Sequence, residues 1–290
     1  MSERPVDTVS WRTLLAETVA RLGATDEARW VCQAASGRDL TDWTLGLDDP
    51  VTERAVARLD AMVARRLVGE PLQYVLGSWP FRTVELLVDR RVLIPRPETE
   101  DVVDVALDLA RSLPAPRTVV DLGTGSGAIA LSLAAELPLG STTVWATDAS
   151  ADALDVARAN TAGLGRPATH VRVALGDWWD ALPAELRGGV DLAVANPPYV
   201  AATDDIEPVV ADWEPAVALW SGVDGLDAIR AIAAGAPQWL RPHGWLVMEI
   251  GAAQGPSVAA ILANAQLRDV SLRSDAVGRV RVAVARGVGA

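Results

Sequence analysis

The run Val119-Val120-Asp121-Leu122-Gly123-Thr124-Gly125-Ser126-Gly127-Ala128 limits the folds open to this chain more than any other segment. An apolar strand candidate passes through three alternate glycines straight into a helical pattern. Glycine adopts positive φ without a steric penalty and lets the backbone approach a ligand closely. The helix start beyond it presents unpaired N–H groups suited to an anionic end. From residue 118 onward strand and helix candidates alternate. Strands are expected at 118–122, 143–147, 170–174, 190–195, 244–250, 268–273 and 280–285. Helices are expected near 126–137, 151–162, 223–235 and 254–266. The pattern predicts an α/β fold with a parallel, doubly wound sheet. The last two strands leave no room for a crossover helix, so they are expected to pair antiparallel at one edge.

The chain ahead of this region reads differently. Between about 8 and 69, Leu14, Leu15, Val19 and Leu22 share one helical face, as do Val56, Leu59, Met62, Val63 and Leu67. Residues 79–94 alternate like a two-stranded ribbon, with the turn expected near Asp89-Arg90. Thr99 and Glu100 open a further helix whose early acids suit its N-terminal dipole. The expected organisation is a helical domain over 1–77, a β-hairpin linker over 78–95 and an α/β domain over 96–290.

Charge and composition remove several function classes. The formal net charge is −12, and residues 1–80 carry 9 Arg against 12 acids. Phosphate-driven nucleic-acid binding needs a basic face, so no stable nucleic-acid partner is expected. All 26 basic residues are Arg. A phosphate loop of the Walker type and a Schiff-base enzyme both require lysine and are excluded. The single cysteine, Cys32, fits a reducing compartment. No apolar leader opens the chain, and no apolar run approaches the roughly 18 residues of a membrane span. A cytoplasmic monomer without a membrane contact is expected. His170 and His243 are isolated, so no metal is expected.

Four further positions carry chemistry. The G-x-G-x-G spacing of Gly123, Gly125 and Gly127, preceded by Asp121, favours S-adenosyl-L-methionine over a dinucleotide, since Ala128 replaces the third glycine of G-x-G-x-x-G. Thr124 and Ser126 belong to the same turn. Asp148, ending a strand one unit later, is suited to ribose hydroxyls, although a helix cap is the alternative. Asp177 and Trp178 suit an adenine, the alternative being a surface acid beside a core ring. The motif Asn196-Pro197-Pro198-Tyr199 then follows an apolar strand. Asn196 precedes a proline and is biased to extended geometry. Pro197 has no N–H, so its carbonyl can face a pocket without a competing donor. Together the Asn196 side-chain oxygen and the Pro197 carbonyl can accept both hydrogens of a planar NH₂ group. The Tyr199 ring can cover that group. Asn196, Pro197 and Tyr199 are therefore the expected catalytic residues, Pro198 completes the substrate grip, and Asn196 is expected to reach the cofactor as well.

The chain resembles the release-factor glutamine N5-methyltransferases of the PrmC/HemK type. The resemblance rests on GEPLQYVLGSWPF from Gly69, Ile94-Pro95-Arg96-Pro97-Glu98-Thr99-Glu100, DLGTGSGAIALSLA and NPPYV. Glu214-Pro215, Gly222-Val223-Asp224-Gly225-Leu226, Glu249-Ile250-Gly251 and Gln254 extend it. It implies a class I S-adenosylmethionine methyltransferase, a Rossmann-like seven-stranded sheet with its last strand antiparallel, and an N-terminal helical domain that helps recognise the substrate protein. It implies methylation of the glutamine in the GGQ motif of bacterial peptide chain release factors. It also sets Arg96-Pro97-Glu98-Thr99 near the cofactor mouth. Trp213 and Trp79-Pro80 depart from the family pattern. Two competing readings are an adenine-N6 methyltransferase acting on nucleic acid, which uses a similar motif, and a cofactor-binding regulator without turnover.

Overall fold

A computed structural model describes residues 9–288; the opening residues 1–8, where no leader was expected, lie outside them. The chain divides into two compact units between Ser78 and Trp79.

The first unit is helical: α1 (Trp11–Leu22), α2 (Thr25–Ser36), α3 (Leu40–Leu45), α4 (Glu53–Leu67) and α5 (Leu72–Leu76). Ser10, Asp39 and Thr52 start three of these helices, each side chain accepting a backbone N–H three residues on. Gly23, Gly37 and Gly77 end α1, α2 and α5 in left-handed geometry. Leu14, Val31, Cys32, Leu59, Met62 and Val63 form the core, with Trp11 edge-on to Trp43 at 5.3 Å. Leu67, expected on the buried face, is exposed. It lies in the last turn of α4, where Arg65 pairs with Glu70 and Arg66 with Glu27.

A ribbon of β1 (Ser78–Phe81) and β2 (Val84–Leu87) follows, and all of it but Ser78 belongs to the second unit. Its turn falls at Arg82-Thr83 and not near Asp89-Arg90. Arg82 adopts a left-handed φ of 51°. Its guanidinium is tied to Glu136 at 2.7 Å and Asp104 at 2.8 Å. Those tertiary ion pairs outweigh the local turn preference for Asp. Asp89 makes a separate turn, closed by Val92 N–H donating to its carbonyl.

Seven strands build the main sheet: β3 (Arg117–Leu122), β4 (Thr142–Asp148), β5 (Val171–Leu175), β6 (Val190–Ala195), β7 (Leu240–Glu249), β8 (Arg268–Ser274) and β9 (Val280–Arg286). Their order is β5-β4-β3-β6-β7-β9-β8, parallel from β5 to β7, with β9 antiparallel to both β7 and β8. The helices are α6 (Glu98–Ser112), α7 (Ala128–Glu136), α8 (Ala151–Gly163), α9 (Pro208–Trp213), α10 (Asp227–Trp239) and α11 (Gly255–Asn264). All six residues of β6 are buried, as a strand covered on both faces requires. Helices α10 and α11 pack Ile229, Ile232, Val258 and Leu262 against Leu122, Ala193 and Leu246. Residues 223–226, the start of the helix expected near 223–235, instead form a loop with Gly222, and Gly222 and Gly225 adopt positive φ. No helix among the described residues is long and apolar enough to cross a membrane.

Strand order reverses between β3 and β6, and ligands of open α/β sheets bind beyond the strand ends at such a point.

Candidate functional site

At that point a cavity opens beyond the carboxyl ends of β3, β4 and β6. Gly123, Thr124, Gly125 and Ser126 line it, with Asp148, Asp177, Trp178, Asn196 and Pro198. Gly123, Gly125 and Gly127 all have positive φ, at 76°, 54° and 90°. Nothing stands within 4 Å of where a Gly125 Cβ would be, so the turn presents bare backbone to the cavity. Gly127 stays behind it and opens α7, its missing Cβ making room for Leu131.

Asp121 holds the turn from inside. Its Oδ2 accepts Thr124 Oγ1–H at 2.6 Å and Ala130 N–H at 3.1 Å, while its buried Oδ1 has no protein partner. Burial pushes its carboxyl up to about 7, against the two hydrogen bonds. Asp148 uses both carboxylate oxygens locally: Oδ2 accepts Gly125 N–H at 2.9 Å and Oδ1 accepts Ser150 N–H at 2.9 Å. The helix-cap alternative falls to Ser150, whose hydroxyl accepts Ala153 N–H. Each Asp148 oxygen keeps a further lone pair. Burial raises this carboxyl too, partly offset by its backbone donors. Trp178 has a left-handed φ of 43°, and its ring lies where a Gly123 Cβ would approach it to 3.3 Å. Glycine at 123 therefore serves the ring as well as the turn.

The Asn196 to Tyr199 segment leaves the end of β6. Asn196 Nδ2 donates to Thr99 Oγ1 at 3.1 Å, and Thr99 Oγ1–H donates to Glu249 Oε2 at 2.6 Å. Tyr199 O–H donates to the other Glu249 oxygen at 3.2 Å. Pro197 is buried, and neither it nor Tyr199 lines the cavity. Burial, with the nearby Glu249 charge, raises the Tyr199 phenol, which stays a neutral donor. Burial likewise raises the Glu249 carboxyl, opposed by the two hydroxyls it accepts. Behind the segment, Gln254 Nε2 donates to Tyr199 O at 2.9 Å and to Gly225 O at 3.2 Å. A Cβ at 225 would lie 2.4 Å from Tyr199 O, so this loop packs backbone on backbone.

Residue-by-residue chemistry did not point to several lining residues: Val92, Leu93, Pro95, Ile129, Pro215 and Val217. Thr99, also on the wall, was read from the residues only as the start of a helix, and the family resemblance alone set it near the cofactor mouth. Glu214 joins two of these wall segments, its carboxylate accepting Ile94 N–H at 3.1 Å and pairing with Arg96. Arg90 stacks over Trp213 at 4.5 Å, which gives that unusual tryptophan a partner.

Comparison with known proteins decides the family. A model of the PrmC N-terminal domain matches residues 13–77, and one of the methyltransferase small domain matches 100–212. The release factor glutamine methyltransferase of Cereibacter sphaeroides is 43% identical, covering 91% of this chain and 91% of its own. That of Bordetella pertussis is 43% identical over 93% of this chain and 98% of its own. The chain belongs to the release factor glutamine methyltransferase family. Family membership fits the architecture, since the first match falls on the five-helix unit and the second runs from α6 to α9. The crystal structure of a methyltransferase from Pyrococcus furiosus, 15% identical, covers 82% of this chain and 100% of its own with a TM-score of 0.52 and shares the fold.

Proposed function

We propose that this chain transfers a methyl group from S-adenosyl-L-methionine to the side-chain amide nitrogen, N5, of the glutamine in the GGQ motif of bacterial peptide chain release factors. The observation that carries the reading is that Asn196 faces the same cavity as the glycine turn, Asp148 and Trp178. A hydrogen-bond acceptor for an NH₂ group thus borders a cradle suited to a methionine nucleoside. The bare backbone at Gly125, the half-buried Asp148 carboxylate and the Trp178 ring fit that cofactor. Gly123 to Gly127 would hold its methionine end, Asp148 its ribose, and Asp177 with Trp178 its adenine. When bound, the cofactor supplies a methyl group made electrophilic by a cationic sulfonium.

The remaining work falls to the chain. An amide nitrogen is a poor nucleophile because its lone pair is delocalised, so in-line positioning and exclusion of water dominate. The Asn196 side-chain oxygen, on the cavity wall, accepts one amide hydrogen and aims the nitrogen; in this proposal the carbonyl of Pro197, whose ring stays behind the wall, accepts the other once the substrate is seated. Pro198 borders the cavity beside them, and Tyr199 closes the segment. No strong base is required, since an alkylated amide nitrogen is very acidic and releases its proton readily. The five-helix unit helps recognise the protein substrate. In this proposal the enzyme is a cytoplasmic monomer and holds no nucleic acid stably.

The test uses labelled S-adenosyl-L-methionine with a bacterial release factor, its Gln→Ala variant, and DNA or RNA. Label on the factor that disappears in the variant is expected; label on nucleic acid alone overturns the proposal. Asn196→Ala is expected to abolish transfer while cofactor affinity stays within about threefold, because one acceptor of the amide grip is lost.

A further inference from the structure

A carboxylate accepts hydrogen bonds and cannot donate them, whereas a hydroxyl does both and a primary amide has one end of each kind. Glu249, Thr99 and Asn196 form a line of these three groups, from the end of β7 through the first turn of α6 to the end of β6. Glu249 is 1% exposed and lies behind the cavity wall. Both of its oxygens receive hydroxyl hydrogens, from Thr99 and from Tyr199. With its own hydrogen directed at Glu249, Thr99 Oγ1 can only accept. The Asn196 amide must then turn its NH₂ toward Thr99, which leaves its carbonyl oxygen as the end that meets a substrate.

We propose that Glu249, acting through Thr99, is a positioning and specificity-determining residue that makes Asn196 an acceptor toward the target group. The inference rests on the amide-grip reading of Asn196 and deepens it. The line explains discrimination between a glutamine and a glutamate side chain. The glutamine NH₂ donates to the fixed Asn196 oxygen, while a glutamate carboxylate would set acceptor against acceptor. A buried site built around one hydrogen-bond pattern rejects a partner that cannot complete it. Without the line, Asn196 could flip its amide at little cost and present NH₂ to the cavity. The same carboxylate holds the Tyr199 hydroxyl, so one group secures both ends of the Asn196 to Tyr199 segment.

Thr99→Val keeps the shape and removes the hydroxyl, Thr99→Ser keeps the hydroxyl, and Glu249→Gln replaces the acceptor-only end with a mixed one. Methyl transfer to a release factor and cofactor dissociation constants are measured for each beside Asn196→Ala. Thr99→Val is expected to lower kcat on the order of 100-fold. Its cofactor affinity should stay within about threefold, the same allowance as for Asn196→Ala. Thr99→Ser should recover kcat to within about tenfold of the parent, and Glu249→Gln should lose at least about tenfold, the range of a misaligned reacting group. A Thr99→Val or Glu249→Gln enzyme with parental kcat overturns the proposal, and so does a loss in Thr99→Val that Thr99→Ser fails to recover. An active Asn196→Ala enzyme would instead remove the amide-grip reading itself. Inactive Asn196→Ala beside fully active Thr99→Val leaves that reading standing and refutes only the line behind it.

Discussion

Asp121 shows how one residue can be visible in a sequence for one reason and matter for another. Its place before the glycines helped separate this turn from a dinucleotide fingerprint. In the structure it faces inward, tied to Thr124 and Ala130, and burial raises its carboxyl from 3.8 to about 7. Between those values the folded protein binds more protons than the unfolded chain, so this group makes stability fall as pH rises from about 4 to about 7. Asp121→Asn should remove that slope. The check is a set of urea midpoints for the cofactor-free parent and variant at several pH values across the window; parallel curves would contradict it. Asp148, by contrast, was legible as a ligand group or a helix cap, and only the geometry gave the cap to Ser150.

At the scale of elements, the periodic segments were readable and their joints were not. Strands β3, β4 and β6 carry short, mostly apolar runs bounded by turn residues, and each lies within a residue of where it was expected. The hairpin turn was misplaced because Arg82 is held there by Glu136 on α7 and Asp104 on α6, partners no local pattern reveals. Arg82→Ala should destabilise the protein by about 2 kcal/mol, the cost of losing the charge-assisted hydrogen bonds to the largely covered Glu136 carboxylate while the exposed Asp104 is rehydrated, read as a lower denaturant midpoint with an unchanged slope. The loop of 222–226 displaced the start of α10 for a related reason. Gly225 packs directly on the Tyr199 carbonyl, and a side chain there clashes at 2.4 Å and is strained by a φ of 73°. Gly225→Ala should therefore lower both melting temperature and kcat. Loss of stability with parental kcat would show that this loop does not support the Asn196 to Tyr199 segment.

For the molecule as a whole, the division at Ser78 separates two units with their own cores. Every cavity-lining residue falls within 91–218. A protein comprising residues 79–290 should therefore keep cofactor affinity within about threefold, since uniform cofactor binding is untouched by removing remote contacts. It should lose most of its kcat/KM toward an intact release factor if the helical unit recognises that partner. Calorimetry with the cofactor and a methyl-transfer assay on the same preparation separate the two effects, and parental kcat/KM would remove the recognition role.

The sequence by itself determined the α/β class, the antiparallel closure, the glycine turn and the Asn196 to Tyr199 motif, because each rests on short-range periodicity or on residues adjacent in the chain. Tertiary structure alone decided what surrounds them. Thr99, Glu249 and Gln254 lie 97, 53 and 58 residues from Asn196 along the chain, yet sheet order brings their elements to the same strand ends. Their roles are hydrogen-bond relations between distant elements, and a relation of that kind leaves no period in a sequence.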